Sequence, residues 1–132
     1  MTDLVDETLR QWRSEPAIYG QSDCMLSIGI YLARTGHRDV TGRFAGKYKT
    51  AKGARGMMAR NGGVAGLMSL AGAVIKTTPP ARGDVVEVMW ANDEHIGGLC
   101  TGDAVALRLE KGVVELSLRF VSIGGVWDGH RR

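Results

Sequence analysis

Cysteine is scarce in this chain. There are two among 132 residues, Cys24 and Cys100, beside three widely spaced histidines, His37, His95 and His130. Tetrahedral zinc sites draw four N or S ligands from closely spaced pairs, so this set gives no zinc pattern, and neither a metal nor a cofactor is expected. The opening Met1-Thr2-Asp3-Leu4-Val5-Asp6 is acidic where a secretory signal needs positive charge. Synthesis in a reducing cytoplasm follows, which argues against a Cys24–Cys100 disulfide. No apolar run approaches the roughly 20 residues of a membrane-spanning helix. Blocks of one charge are missing too. The net charge of +3 comes from scattered Lys and Arg between residues 34 and 60 and from the tail His130-Arg131-Arg132. With aromatics at 6% and no basic stretch to interleave them, no nucleic-acid partner is expected.

What is present is a hydrophobic content of 44%, enough for one core in a single domain, 1–132. Thr2 or Asp3 can cap a first helix carrying Leu4, Val5, Leu9 and Trp12, which Glu15-Pro16 ends. SDCMLSIGIYLARTG, from Ser22 to Gly36, is the clearest helix: Ser22 as cap, Asp23 in the first turn, Gly36 past the end. It is apolar almost all round, which predicts a buried central helix. Residues 37–49 read as an irregular connection. TAKGARGMMARNGG and VAGLMSLAG read as two glycine-containing helices. After Pro79-Pro80 the pattern changes to GDVVEVMW, HIGGLC, AVALRL, VVELSL and RFVSIGGVW. These are Val-rich, often alternating segments that predict an antiparallel meander. Helices first and strands second give an α+β fold, with helices packed on one sheet.

Cys24 falls in the first turn of the central helix. The unpaired N–H groups there favour a thiolate and can donate to an oxyanion on a substrate carbonyl. A nucleophilic thiol also needs a base. His130 sits in the tail. His37 follows the far end of Cys24's own helix, roughly 15–20 Å away at 1.5 Å per residue. His95 opens a strand that a sheet packed on this helix can bring to Cys24. Two readings stay open from the residues alone: Cys24 as a small core hydrophobe, or Cys24 with His95 as a nucleophile–base pair.

The ordered motifs Tyr19-Gly20, Asp23-Cys24-Met25-Leu26, Gly83-Asp84-Val85-Val86 and His95-Ile96-Gly97-Gly98-Leu99 resemble those of the NlpC-type, papain-like cysteine peptidases. With Thr35-Gly36, Gly46-Lys47-Tyr48, Asn61-Gly62-Gly63 and Trp127, the chain is similar to small phage and phage-like tail-cluster proteins that look like reduced members of that superfamily. The resemblance implies an NlpC-like fold, Cys24 as nucleophile and His95 as base. It implies hydrolysis of cell-wall (peptidoglycan) peptide bonds through a thioester, in a virion tail tip among other tail-tip and hub proteins. It also implies Asp84 as a turn-fixing residue and Tyr19 as a neighbour of the site or a packing residue. Met25-Leu26 stand where the family has Ser-Gly. The family's third polar residue lies on the strand after the base; counting from His95 lands on Leu107 or Arg108, with Asp103 at the turn before. Leu107 cannot orient an imidazole and Arg108 would repel its protonated form. The alternative implied is a catalytically weak or inactive structural component of the tail tip.

Overall fold

The computed structural model describes residues 3–130; Met1, Thr2, Arg131 and Arg132, and with them the Thr2 cap and the end of the basic tail, lie outside the described residues. The fold is α+β. Four helices, α1 (Leu4–Ser14), α2 (Cys24–Arg34), α3 (Ala51–Arg60) and α4 (Gly63–Ala71), precede five strands. The strands are β1 (Val85–Met89), β2 (His95–Cys100), β3 (Ala104–Leu109), β4 (Gly112–Ser117) and β5 (Ser122–Trp127). They form one antiparallel sheet in the order β4-β3-β2-β1-β5. The meander therefore holds only through β4. The last strand returns to the opposite edge beside β1, because β1 still has an open edge that a fifth strand can satisfy.

Asp3 caps α1 by accepting from the Asp6 N–H at 2.8 Å, and Val5, Leu9 and Trp12 form the buried stripe that the spacing predicts. The helix stops at Glu15, ahead of Pro16, which disfavours helical backbone in the residue before it. α2 lies over β2 and β3, α1 over β4, and α4 against both α2 and β2. The main core between helices and sheet joins Leu26, Ile28 and Leu32 of α2 to Met68 of α4 and to Val85 and Leu99 of the sheet. Full burial of each such side chain contributes about 1.5–3 kcal/mol.

A second apolar cluster, including Val86, Val88, Ile96, Cys100, Val105 and Leu107, occupies the other face of the sheet. The segment that carries the chain from the β4 edge to the β5 edge covers this face with Leu118 and Val121. Gly98 is seated here. A Cβ added to it would lie 2.6 Å from Val105 Cγ2 and 2.7 Å from Leu107 Cδ2. Gly98→Ala is therefore expected to destabilise the domain by about 1–3 kcal/mol through overpacking. A urea midpoint equal to that of the unchanged protein would refute this.

Candidate active site

Cys24 is the first residue of α2, but the cap before it is Asp23 rather than Ser22. The Ser22 hydroxyl is engaged outside the helix, accepting from Ile18 N–H at 3.0 Å and donating to the Pro16 carbonyl at 3.0 Å. The buried Asp23 carboxylate accepts from three donors: Leu26 N–H at 3.1 Å, Gly20 N–H at 2.8 Å and the Tyr48 hydroxyl at 2.7 Å. One carboxylate thus starts α2 and ties the Tyr19-Gly20 turn and the Gly46-Lys47-Tyr48 segment to it. Gly20 has φ +83°, and a Cβ there would meet the Tyr48 carbonyl oxygen at 2.1 Å. The Tyr-Gly and Gly-Lys-Tyr motifs are two sides of one close approach.

Cys24 and His95 line one cavity of about 520 Å³. α2, α3, α4 and the strand ends around His95 and Arg108 enclose it. Ile28, Met58, Val64 and Leu67 make an apolar side, while Tyr19, Asp23 and Arg108 also reach its wall. Tyr19 packs on the main core as well. Asp103 is not among the lining residues; it stands at the β2–β3 turn, where its carbonyl accepts from Leu118 N–H at 3.0 Å. His37 is buried elsewhere, its Nδ1 2.9 Å from Thr35 Oγ1. Asp84 fixes a turn, accepting from Ala81 N–H at 2.9 Å and pairing with Lys76.

A carboxylate partner for His95 lies on the strand before it. Glu87 of β1 places Oε2 3.1 Å from His95 Nδ1. Glu87 pairs directly with Gly97, two residues on from His95, which puts the two side chains on the same face as diagonal neighbours within reach of each other. An ionised carboxylate only accepts, so in a neutral imidazole this contact favours the tautomer with its proton on Nδ1 and its lone pair on Nε2. The far side of Glu87 is built to hold it. β5 bulges there, with Glu87 opposite Gly125 and Val88 opposite Ile123, and a Cβ on the extra residue Gly124 would stand 2.5 Å from Glu87 Oε1. The Glu87 side chain is only 15% exposed. Neither Leu107 nor Arg108 plays this part: Leu107 is in the second cluster, and Arg108 is committed to Ser27 Oγ and the Glu15 carbonyl, each at 3.0 Å.

The resting thiol is not the acidified one that its helix position suggests. Burial, and then the neighbouring Asp23 carboxylate, push Cys24 up to about 12, against the lowering effect of the Met25 and Cys24 N–H groups. A helix terminus contributes roughly 0.3–1 kcal/mol at an exposed site, whereas desolvation of a buried acid moves its pKa by up to 3–5 units, so burial wins. Alkylation of Cys24 by iodoacetamide is accordingly expected to keep rising about tenfold per pH unit through pH 9 and beyond. A plateau below pH 8, read by mass mapping of the Cys24 peptide, would contradict that. Both cysteines are free thiols. Among the described residues, no group of three or more His, Cys, Asp or Glu is placed to hold a metal ion, and no helix is long and apolar enough to cross a membrane.

A thiol at a helix start and an imidazole held by a carboxylate thus line one partly apolar cavity on an α+β scaffold. The model of a domain family of unknown function, DUF6950, matches residues 2–127, and the chain belongs to that family. No curated protein and no solved structure matches it.

Proposed function

We propose that this protein is a cysteine hydrolase of the NlpC, papain-like type that cuts amide bonds of cell-wall peptides, acting as a phage tail-tip component. The observation that carries the chemistry is that Cys24, at the start of α2, and His95, held by Glu87 at 3.1 Å, line the same cavity. The tail-tip setting and the cell-wall substrate rest on the resemblance of the ordered motifs.

In this reading the Cys24 sulfur adds to the scissile carbonyl carbon as its proton passes to His95 Nε2. The first N–H groups of α2 face the oxyanion. His95 returns the proton to the departing amine, and water then hydrolyses the thioester. A thiol pushed up to about 12 suits proton transfer concerted with attack rather than a preformed ion pair.

The test is digestion of purified muropeptides, followed by mass spectrometry. Cleavage is expected with the unchanged protein and absent with Cys24→Ala. Lack of any Cys24-dependent cleavage would sink the reading. The same raised thiol favours a second reading, a structural tail-tip component that keeps the site without turnover. That reading predicts binding to hub or distal-tail proteins that survives Cys24→Ala.

A further inference from the structure

α3 buries none of its side chains in full. Its Ala51, Ala54 and Met58 fall three and then four residues apart, on one face of the helix, and that face lines the cavity that holds Cys24. Ala54 and Met58 are only partly buried where they also pack against the main core. Ile28 of α2 and Val64 and Leu67 of α4, all buried, complete this wall. None of the six carries a polar side chain. Ile28 lies four residues after Cys24, so the wall begins one turn along α2 from the thiol.

The charged lining groups stand apart from this wall. Asp93 and Glu94 precede β2, and Glu110 follows β3. Asp93 and Glu110 are exposed and make no ion pair among the described residues, while Glu94 faces Arg55 at 3.6 Å. Asp23 and Arg108 are engaged within the protein. The exposed side of the cavity thus carries more negative than positive charge, and the side along α3 and α4 carries none. A volume of about 520 Å³ falls in the range of roughly 300–1,000 Å³ of small-molecule sites, which are mostly apolar with a few placed polar groups.

We infer that this wall is a binding site for an aliphatic acyl chain, presented as an uncharged ester or amide whose carbonyl lies at Cys24. The inference goes beyond cell-wall peptides and rests on the hydrolase reading only for the reaction. There the Cys24 sulfur bonds to the acyl carbon as the ester C–O or amide C–N bond breaks. The leaving alcohol or amine takes the thiol proton by way of His95, and water splits the thioester to the free acid and the thiol. A polar chain is disfavoured, because its donors and acceptors would be left unpaired against the six apolar side chains. The ionised acid product is repelled by the exposed carboxylates, which separates it from the uncharged substrate.

The experiment titrates the full chain bearing Cys24→Ala with butanamide, hexanamide, octanamide and octanoate, at low salt, followed by proton–carbon NMR of the methyl groups. Without the thiol, hydrolysis plays no part. Each step of two methylenes along the amides is expected to tighten binding by about tenfold, the gain for burying that much hydrocarbon. The Val64 and Leu67 methyl resonances should shift. Octanoate should bind at least about threefold more weakly than octanamide, a gap that closes as salt is raised. In a second protein that also carries Ala54→Leu, a larger apolar side chain occupies the wall, and the gain from hexanamide to octanamide should fall to about twofold or less. Leucine is a good helix former, so α3 should persist. Should Ala54→Leu not fold, Ala51→Leu is read in its place.

Equal affinity for the three amides overturns the proposal, as does a chain-length gain undiminished in the leucine variant or a titration that leaves the Val64 and Leu67 methyls unmoved. In those cases the chains adhere to exposed apolar residues such as Val74, Ile75 and Phe120. Octanoate binding as tightly as octanamide overturns the preference for an uncharged ligand. A failure of the hydrolase reading shows separately, as intact muropeptides in the digestion by the thiol-bearing protein.

Discussion

Glu87→Gln is expected to slow acylation of Cys24 by about 10²–10⁴-fold, the range seen when the orienting carboxylate of a nucleophile–base pair is replaced. The carboxamide fits the cradle beside Gly124, so the fold should survive. It can, however, present its NH₂ to His95 Nδ1, which moves the imidazole proton to Nε2, the nitrogen that receives the thiol proton in the proposed reaction. p-Nitrophenyl acetate gives a measurement independent of the natural substrate, through the first-order burst of p-nitrophenol. Nitrogen NMR of His95 should show the tautomer reversed in the variant. A burst rate within twofold of the unchanged protein, with the tautomer unmoved, would show that the contact at 3.1 Å has no part in the chemistry.

Asp23→Ala carries the second large expectation, and it acts in opposite directions on stability and reactivity. The change deletes the α2 cap and strips a partner from Leu26 N–H, Gly20 N–H and the Tyr48 hydroxyl together. A lost cap costs about 1 kcal/mol, and each buried donor left unsatisfied costs about 1–3 kcal/mol. Partial access of water trims the sum, so a loss of about 3–5 kcal/mol is expected by chemical denaturation. The Asp23 charge is also the second cause, after burial, of the raised Cys24 pKa. Its removal should therefore lower the alkylation pKa. The sign for pH-dependent stability follows. A thiol whose pKa is raised on folding contributes stability below its unfolded value of about 8.5, and that contribution is lost as pH climbs toward about 12. The alkaline loss of stability should be shallower in Asp23→Asn, which keeps a capping oxygen without the charge. A variant as stable as the parent, or an alkylation profile that does not shift downward, would contradict this account.

The helical half of the molecule was largely legible. Apolar spacing and cap chemistry placed α1, α2 and the two glycine-containing helices, because those signals are local. Choosing between Ser22 and Asp23 as cap was not a local question. Both suit the position, and the Pro16–Ile18 backbone, which claims the Ser22 hydroxyl, decided it. Strand identities were legible from Val-rich alternation and turns, but the return of β5 to β1 was not. A meander and a returning strand leave the same local pattern, and only pairing over long sequence distance separates them.

Cys24 and His95 line the same cavity, while the carboxylate in contact with His95 stands on β1 and not on β3, where the resemblance puts the third polar residue. Within VVEVM, Glu87 reads as the solvent-facing member of an alternation. A usable signal was present: glycine sits opposite Glu87 on one paired strand and around the bulge on the other, room that a solvent-facing glutamate does not need. The direction of the Cys24 shift was illegible because helix position is written in the sequence, whereas depth of burial belongs to the assembled fold.

The bulge of β5 around Glu87 also has a meaning in time. β1 takes a partner on each edge, and the partner that supplies Gly124 is the last strand in the sheet's chain order. A chain emerging from the ribosome presents the thiol of α2 early and the histidine midway, while the wall behind the glutamate forms only when the final strand closes its long loop. A nascent or clipped chain lacking β5 would thus hold a sulfhydryl and an imidazole without the support that aligns them. In the proposed enzyme, competence would be deferred until the last strand of the sheet is in place, a latency set by strand order.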